Sequence, residues 1–295
     1  METTVNWILF WAGLAVGSIT AIAAGLAAYG AARWADSTRA LLFRLEGNRL
    51  PATTSQYDAD ELEGLPAPVK RYFRSVLKDG QPIIAAATVE HVGTFNLNPA
   101  GEQWKPFTSK QRVVTRRPGF VWNARVAMAP GIAVYVHDAY VDGEGILNPA
   151  ILGLFSLAGH IDARDLAQGE FVRFLAESAW YPTALLPSQG VHWEAVDEHS
   201  ASATLVDGKV GATMLVSFNE AGLIESVRVE ARAALVDNIV VPTPWEGRMS
   251  NYQERDGMMV ALTAEASWLR PDGRKPYWRG TITSIAYEFP SSRAC

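Results

Sequence analysis

A chain of 295 residues is long enough to bury a core in one large or two small domains. Its net charge of −5 excludes a general nucleic-acid binder, which would carry a basic footprint. A single cysteine, Cys295, excludes an intrachain disulfide and any zinc site built on several thiolates.

From Trp7 to Tyr29 no residue is charged. At about 1.5 Å per residue the run spans roughly 34 Å, enough to cross a bilayer core. Trp7, Trp11 and Tyr29 lie near its ends, where amphipathic rings favour the interface. A cleaved signal peptide is the competing reading. The run is longer than the apolar part of such a peptide and no Lys or Arg precedes it, so residues 1–32 are expected to be a retained single-span anchor. Gly13, Gly17, Ala21, Ala24 and Ala28 fall on one helical face, with Ile8, Trp11, Ile19, Ile22 and Leu26 roughly opposite. Small residues at this spacing let another helix approach closely, which predicts a helix partner: a second copy or another membrane protein. Arg33, Arg39, Arg44 and Arg49 follow the span, a bias that puts the remaining chain in the cytoplasm.

Residues 33–64 form a juxtamembrane segment. Arginines alternate with Leu41, Leu42, Phe43 and Leu45, as in an amphipathic helix that continues from the membrane or lies on its surface. Pro51 through Glu63 is polar and unpatterned, which predicts a linker. A β-rich domain is expected over 65–295, opened by a short helix from Leu65 through Leu77 with Val69, Tyr72, Phe73 and Val76 as its apolar stripe.

Strand signals dominate beyond Ile83. Before the central helix they cover Ala87–Asn96, Phe107–Thr115, Phe120–Ala127 and Ile132–Val141. After it they cover Val191–Val196, Ala201–Val206, Ala212–Phe218, Leu223–Ala231, Trp245–Tyr252, Met258–Leu269 and Trp278–Phe289. Asp207-Gly208, Asp256-Gly257 and Asp272-Gly273 are hairpin signals, and Asn219–Gly222 reads as a longer turn. Short links imply an antiparallel meander, and about eleven strands should curl into a half-barrel rather than lie flat. The expected class is mainly β, a curled antiparallel sheet covered by a few helices, plus one N-terminal transmembrane helix.

The covering helix is expected at about 163–180, within Asp162–Gly190. Phe171, Phe174, Leu175 and Ala179 form its apolar stripe, while Glu170, Arg173 and Glu177 lie on the other face, where charges are ordinarily solvated. Asp165, with Gln168 three residues on, is the expected start signal, and Pro182 the stop.

The runs Gln111-Arg-Val-Val-Thr-Arg-Arg-Pro-Gly-Phe-Val-Trp-Asn-Ala-Arg, Met128-Ala-Pro-Gly and Asp138-Ala-Tyr-Val-Asp-Gly-Glu-Gly resemble an uncharacterised bacterial domain family. So do Trp180-Tyr-Pro-Thr-Ala-Leu-Leu-Pro-Ser-Gln-Gly, Pro242-Thr-Pro-Trp-Glu-Gly-Arg and Pro276-Tyr-Trp-Arg-Gly. Together they span most of residues 65–290. The resemblance implies no reaction and no cofactor. Its fold is similar to the bacterial outer-membrane lipoprotein carriers, in which helices cover an apolar cavity. That likeness implies the inner membrane of a bacterium with the domain on the extracytoplasmic side, against the flanking charges. The carriers are soluble or lipid-anchored, so a transmembrane anchor departs from their pattern.

No G-x-S-x-G, P-loop, H-E-x-x-H or dinucleotide fingerprint is present, so no enzyme activity is expected. His137 and Asp138 are adjacent, and strand alternation sends them to opposite faces. His160 and Asp162 could share a face, but a metal site would need the fold to assemble it, and none is expected. Glu144, Glu170 and Glu177 have no spacing that forces a catalytic pair. Arg112, Arg116, Arg117 and Arg125 form a basic cluster suited to lipid phosphates, to a partner's acids or to internal salt bridges.

Eight of the ten tryptophans lie beyond the anchor. Trp122, Trp180, Trp245 and Trp278, under Phe171, Phe174, Leu175, Leu185 and Leu186, either fill the sheet's interior or line an apolar pocket. The leading expectation is a membrane-tethered, non-enzymatic module that binds a lipid or acyl chain. The alternative is an accessory subunit of a larger membrane complex, held through its transmembrane helix.

Overall fold

A computed structural model describes residues 2–51, 54–98, 101–157, 159, 161–236 and 239–290. Helix α1 (Glu2–Gly47) is continuous, so the apolar run and the arginine-rich segment after it form one rod. It is long and apolar enough to cross a membrane. A short helix α2 (Ala67–Val76) buries Val69, Tyr72, Phe73 and Val76. The expected linker is not free: Tyr57 and Leu62 are buried, and Tyr57 exchanges backbone hydrogen bonds with Gly80 and Gln81.

Among the described residues thirteen strands form a single antiparallel sheet. They are β1 (Ala86–Asn96), β2 (Trp104–Val114), β3 (Gly119–Ala129), β4 (Ile132–Val141), β5 (Glu144–Ile151) and β6 (Phe155–Ser156). After the helix come β7 (His192–Ala195), β8 (Ser200–Asp207), β9 (Val210–Phe218), β10 (Ile224–Val236), β11 (Ile239–Arg255), β12 (Met258–Arg270) and β13 (Gly273–Glu288). The order is β6-β5-β4-β3-β2-β1-β13-β12-β11-β10-β9-β8-β7, two meanders joined by the β1–β13 pairing.

The count exceeds the expected eleven by β5 and β6. Strand β5 contains Gly145, Asn148 and Pro149, residues that weaken a strand signal. Pro149 is tolerated because only its acceptor is used on that side: β6 pairs with Ala150 and Ile151, and the Pro149 carbonyl accepts from the Leu157 N–H at 2.7 Å. The sheet is open but strongly curled. Tyr140 of β4 donates its hydroxyl to Asp207 at the end of β8, 2.9 Å away, although the two strands lie far apart in the sheet order.

Helix α3 (Ala163–Glu177) fills the concave side. Its cap is Asp162, which accepts from the Arg164 N–H at 2.9 Å, in place of the expected Asp165. Gly145 lets the helix start press on β5, since a Cβ there would stand 2.5 Å from the Ala167 nitrogen. After Glu177 the chain continues in three short 3-10 turns, Ser178–Trp180, Pro182–Leu185 and Pro187–Gln189.

Period-two alternation divides the sheet cleanly. On β4, Asp138 and Tyr140 face α3, while His137, Ala139 and Val141 face α1. The outer face carries a second core in which Leu45 packs with Ala86, Val114, Val121, Ala139 and Val141. The Trp34 indole stacks on His137 at 3.8 Å and donates to Asn123 at 2.9 Å, and Thr38 meets His137 at 2.7 Å. Burial lowers the His137 pKa to about 4, so the ring is neutral at physiological pH. Glu46 and Glu288 receive Arg112 at 2.6 and 2.7 Å, and Arg117 pairs with Asp142. Arg112 and Arg117 of the expected basic cluster are thereby committed to internal contacts. The second half of α1 is thus bolted to the back of the sheet.

Candidate functional site

A pocket of about 90 Å³ lies between α3 and the inner face of β1, β3, β4 and β10–β13. Trp122, Trp180, Trp245 and Trp278 line it, with Phe95, Tyr277 and Met249. The other five residues expected at a pocket lie elsewhere. Phe171 stacks on Tyr140 at 4.9 Å, Phe174 follows it at 6.2 Å, and Leu175, Leu185 and Leu186 are buried in solid core. The Leu185 carbonyl accepts from the Trp193 indole at 3.0 Å.

The charged face of α3 is not solvated, contrary to expectation. Glu170 and Glu177 are buried and Arg173 half-buried against the sheet, because acids and bases far away in sequence wait there for them. Arg173 donates to Asp138 at 2.5 Å and to Glu177 at 2.6 Å. Gln111 donates to the second Glu177 oxygen at 2.6 Å. The Arg173 guanidinium also lies 4.9 Å from the Phe120 ring and 5.0 Å from Trp122, so ion pairing and cation–π contact act together. Arg232 of β10 stands 3.6 Å from Glu170 and 5.2 Å from the Trp245 ring.

The surroundings of Glu170 favour its protonated form. Burial and the neighbouring Asp138 raise its pKa well above the carboxylate range, outweighing Arg232 and Arg173. Glu170 Oε2 and Asp138 Oδ1 are buried and lack partners when both groups are treated as acceptors. A proton on Glu170 resolves both, since the acid then donates to Asp138. His91, 4.8 Å from the Trp180 ring, is kept neutral by burial with a pKa near 3.

Two tryptophans owe their positions to glycine. A Cβ on Gly280 would stand 2.2 Å from the Trp278 ring, and one on Gly247 would stand 3.0 Å from the Trp245 ring. In each case the residues are two apart on one strand and share a face, so the indole folds over a bare backbone. The spacing Trp-x-Gly in Trp245-Glu-Gly247 and Trp278-Arg-Gly280 is visible in the sequence and marks the pocket floor.

Asp138 and His137 face opposite sides, and His160 lies outside the described residues. Among the described residues no three of His, Cys, Asp and Glu converge as metal ligands. Glu144 pairs with Arg44 of α1 at 2.7 Å on the surface. Gly13 and Gly17, expected to face a partner helix, have nothing of this chain within 4 Å of a Cβ position.

Two solved structures match parts of this chain. A LolA superfamily protein from Nitrosomonas europaea is 12% identical, with a TM-score of 0.32, over 75% of this chain and 92% of its own. A beta-barrel-like protein of the domain of unknown function DUF1849 from Brucella abortus is 9% identical, with a TM-score of 0.23, over 70% of this chain and 99% of its own. No curated protein matches the sequence. The model of the family of unknown function DUF6920 matches residues 63–287, and the chain belongs to that family.

Proposed function

We propose that the chain is a membrane-tethered binding module that takes the apolar end of an amphiphile, such as a lipid's acyl chain, into the pocket under α3. The observation that carries this is the wall of four tryptophans, two of them folded over glycines, so that apolar surface is kept free at the heart of the sheet. The carboxylates beside it serve structure rather than chemistry: Asp138 and Glu177 are both engaged by Arg173.

Size limits the ligand. An apolar cavity of roughly 150 Å³ admits benzene, and this pocket holds about 90 Å³. A chain end or a small ring matches it; a whole diacyl lipid requires α3 or the tryptophans to move. The experiment is purification in mild detergent followed by mass spectrometry of extracted small molecules. One amphiphile per chain supports the reading, and detergent alone overturns it.

A second reading, an accessory subunit of a membrane complex, is favoured by the clear space around Gly13 and Gly17 on α1. Gly17→Leu should then shrink the detergent-extracted assembly. An unchanged size would remove its support.

A further inference from the structure

The apolar half of α1 leaves the domain from one defined end. Gly30 abuts the turn after β5, where a Cβ would meet the Leu152 carbonyl oxygen at 2.1 Å and the Leu154 side chain at 2.9 Å. From there α1 descends past Trp34 and Thr38 to Leu45, which touches Gly119 at the opposite end. Tyr29, the last residue of the uncharged run, therefore stands level with the β5–β6 turn. Since neighbouring strands are antiparallel, this end also carries the nearby β1–β2 and β3–β4 connections.

Large apolar side chains stand exposed at all three connections. They are Leu97 after β1, Ile132 at the start of β4, and Phe155 and Leu157 around β6. Phe155 is 63% exposed and Ile132 47%. A lone exposed apolar residue needs no explanation. Apolar tips on separate connections, all at the end where an apolar rod departs, form a pattern that one surface can satisfy.

We infer that this end of the sheet rests in the interface of the bilayer that α1 crosses, with Leu97, Ile132, Phe155 and Leu157 dipping to headgroup depth. The occupant is the lipid surface itself, because a helix fixed at Gly30 and Trp34 carries the membrane to these loops. Phe95 and Tyr277, which line the pocket, lie toward the same end, so that side of the pocket is the one nearest the lipid from which an amphiphile would come. This inference rests on α1 being a membrane anchor.

The test uses the full chain in phosphatidylcholine nanodiscs, with Cys295→Ser and a single fluorescent label at Ile132→Cys, Phe155→Cys, Val206→Cys or Gly13→Cys. Val206 is an exposed apolar residue beside Leu50 and Arg117, at the far end. Lipids with nitroxides at shallow or deep chain positions supply the quenching. The expected result is shallow quenching at Ile132 and Phe155 at least threefold above Val206, with Gly13 quenched by the deep nitroxide. Quenching at Ile132 and Phe155 equal to Val206, with Gly13 still quenched, overturns the docking while leaving the anchor intact. An unquenched Gly13 overturns the anchor reading and the docking with it.

Discussion

The indole of Trp278 reaches back over Gly280, so closely that a Cβ on the glycine would stand 2.2 Å from the ring. The same relationship holds between Trp245 and Gly247 on a neighbouring strand pair. Gly280→Val must therefore push Trp278 into the pocket. We expect a loss of about 1–3 kcal/mol from overpacking, measured by urea unfolding, together with a shift in tryptophan emission. A variant with unchanged emission and stability would show that the ring is not held this way.

Arg173 is the only cation that bridges Asp138 and Glu177 among the ion pairs of the described residues. Arg173→Met keeps much of the side chain's volume but leaves two buried carboxylates without their cation. The expected cost is about 3–5 kcal/mol. Adding Asp138→Asn should recover part of it, since one of the stranded charges is then gone. Equal stability of wild type and Arg173→Met would mean that the pair is solvated.

Glu170 links stability to pH. Its folded pKa is raised by burial and by Asp138, so the contribution of this group is fully present below the unfolded pKa. It is lost as pH rises toward the folded pKa, because the unfolded chain ionises while the folded chain keeps its proton. Glu170→Gln removes that loss. Above the unfolded pKa, and up to the raised folded one, the variant should gain on the wild type by up to about 1.4 kcal/mol per pH unit. Chemical denaturation at several pH values reads the difference; parallel curves would contradict a protonated Glu170.

Gly30 sets the join between α1 and the sheet. Gly30→Val drives a side chain into the Leu152 carbonyl, so the helix must lift from the β5–β6 turn. We expect faster proteolysis around Leu50 and weaker protection of Trp34, with α1 still in the membrane fraction. Unaltered proteolysis would indicate that the docking observed through Trp34, Thr38 and Leu45 is not what holds the domain.

Local chemistry was legible in the sequence wherever it acts over a few residues. Asp256 and Gly257 adopt positive φ in the β11–β12 turn, as their pairing implies, and His137 and Asp138 do part to opposite faces. The orientation of α3 was not legible, because what draws Glu170, Arg173 and Glu177 inward is Asp138 on β4, Gln111 on β2 and Arg232 on β10. A charged helical face reads as solvated until its partners are known. The docking of α1 left a faint signal: Gly30, Trp34, Thr38 and Leu45 recur at steps of four or seven, one helical face, yet nothing local says that a sheet lies against it. The Trp-x-Gly spacing on β11 and β13 was the readable mark of the pocket.

The central claim is that the pocket beneath α3 holds the apolar end of an amphiphile. Native mass spectrometry of the wild type and Gly280→Val, released from the same mild detergent, tests it most directly, because both carry the same α1 and any lipid bound there cancels. The expected result is one retained amphiphile per wild-type chain and none in the variant. Equal occupancy in both, or none in either, would contradict the claim.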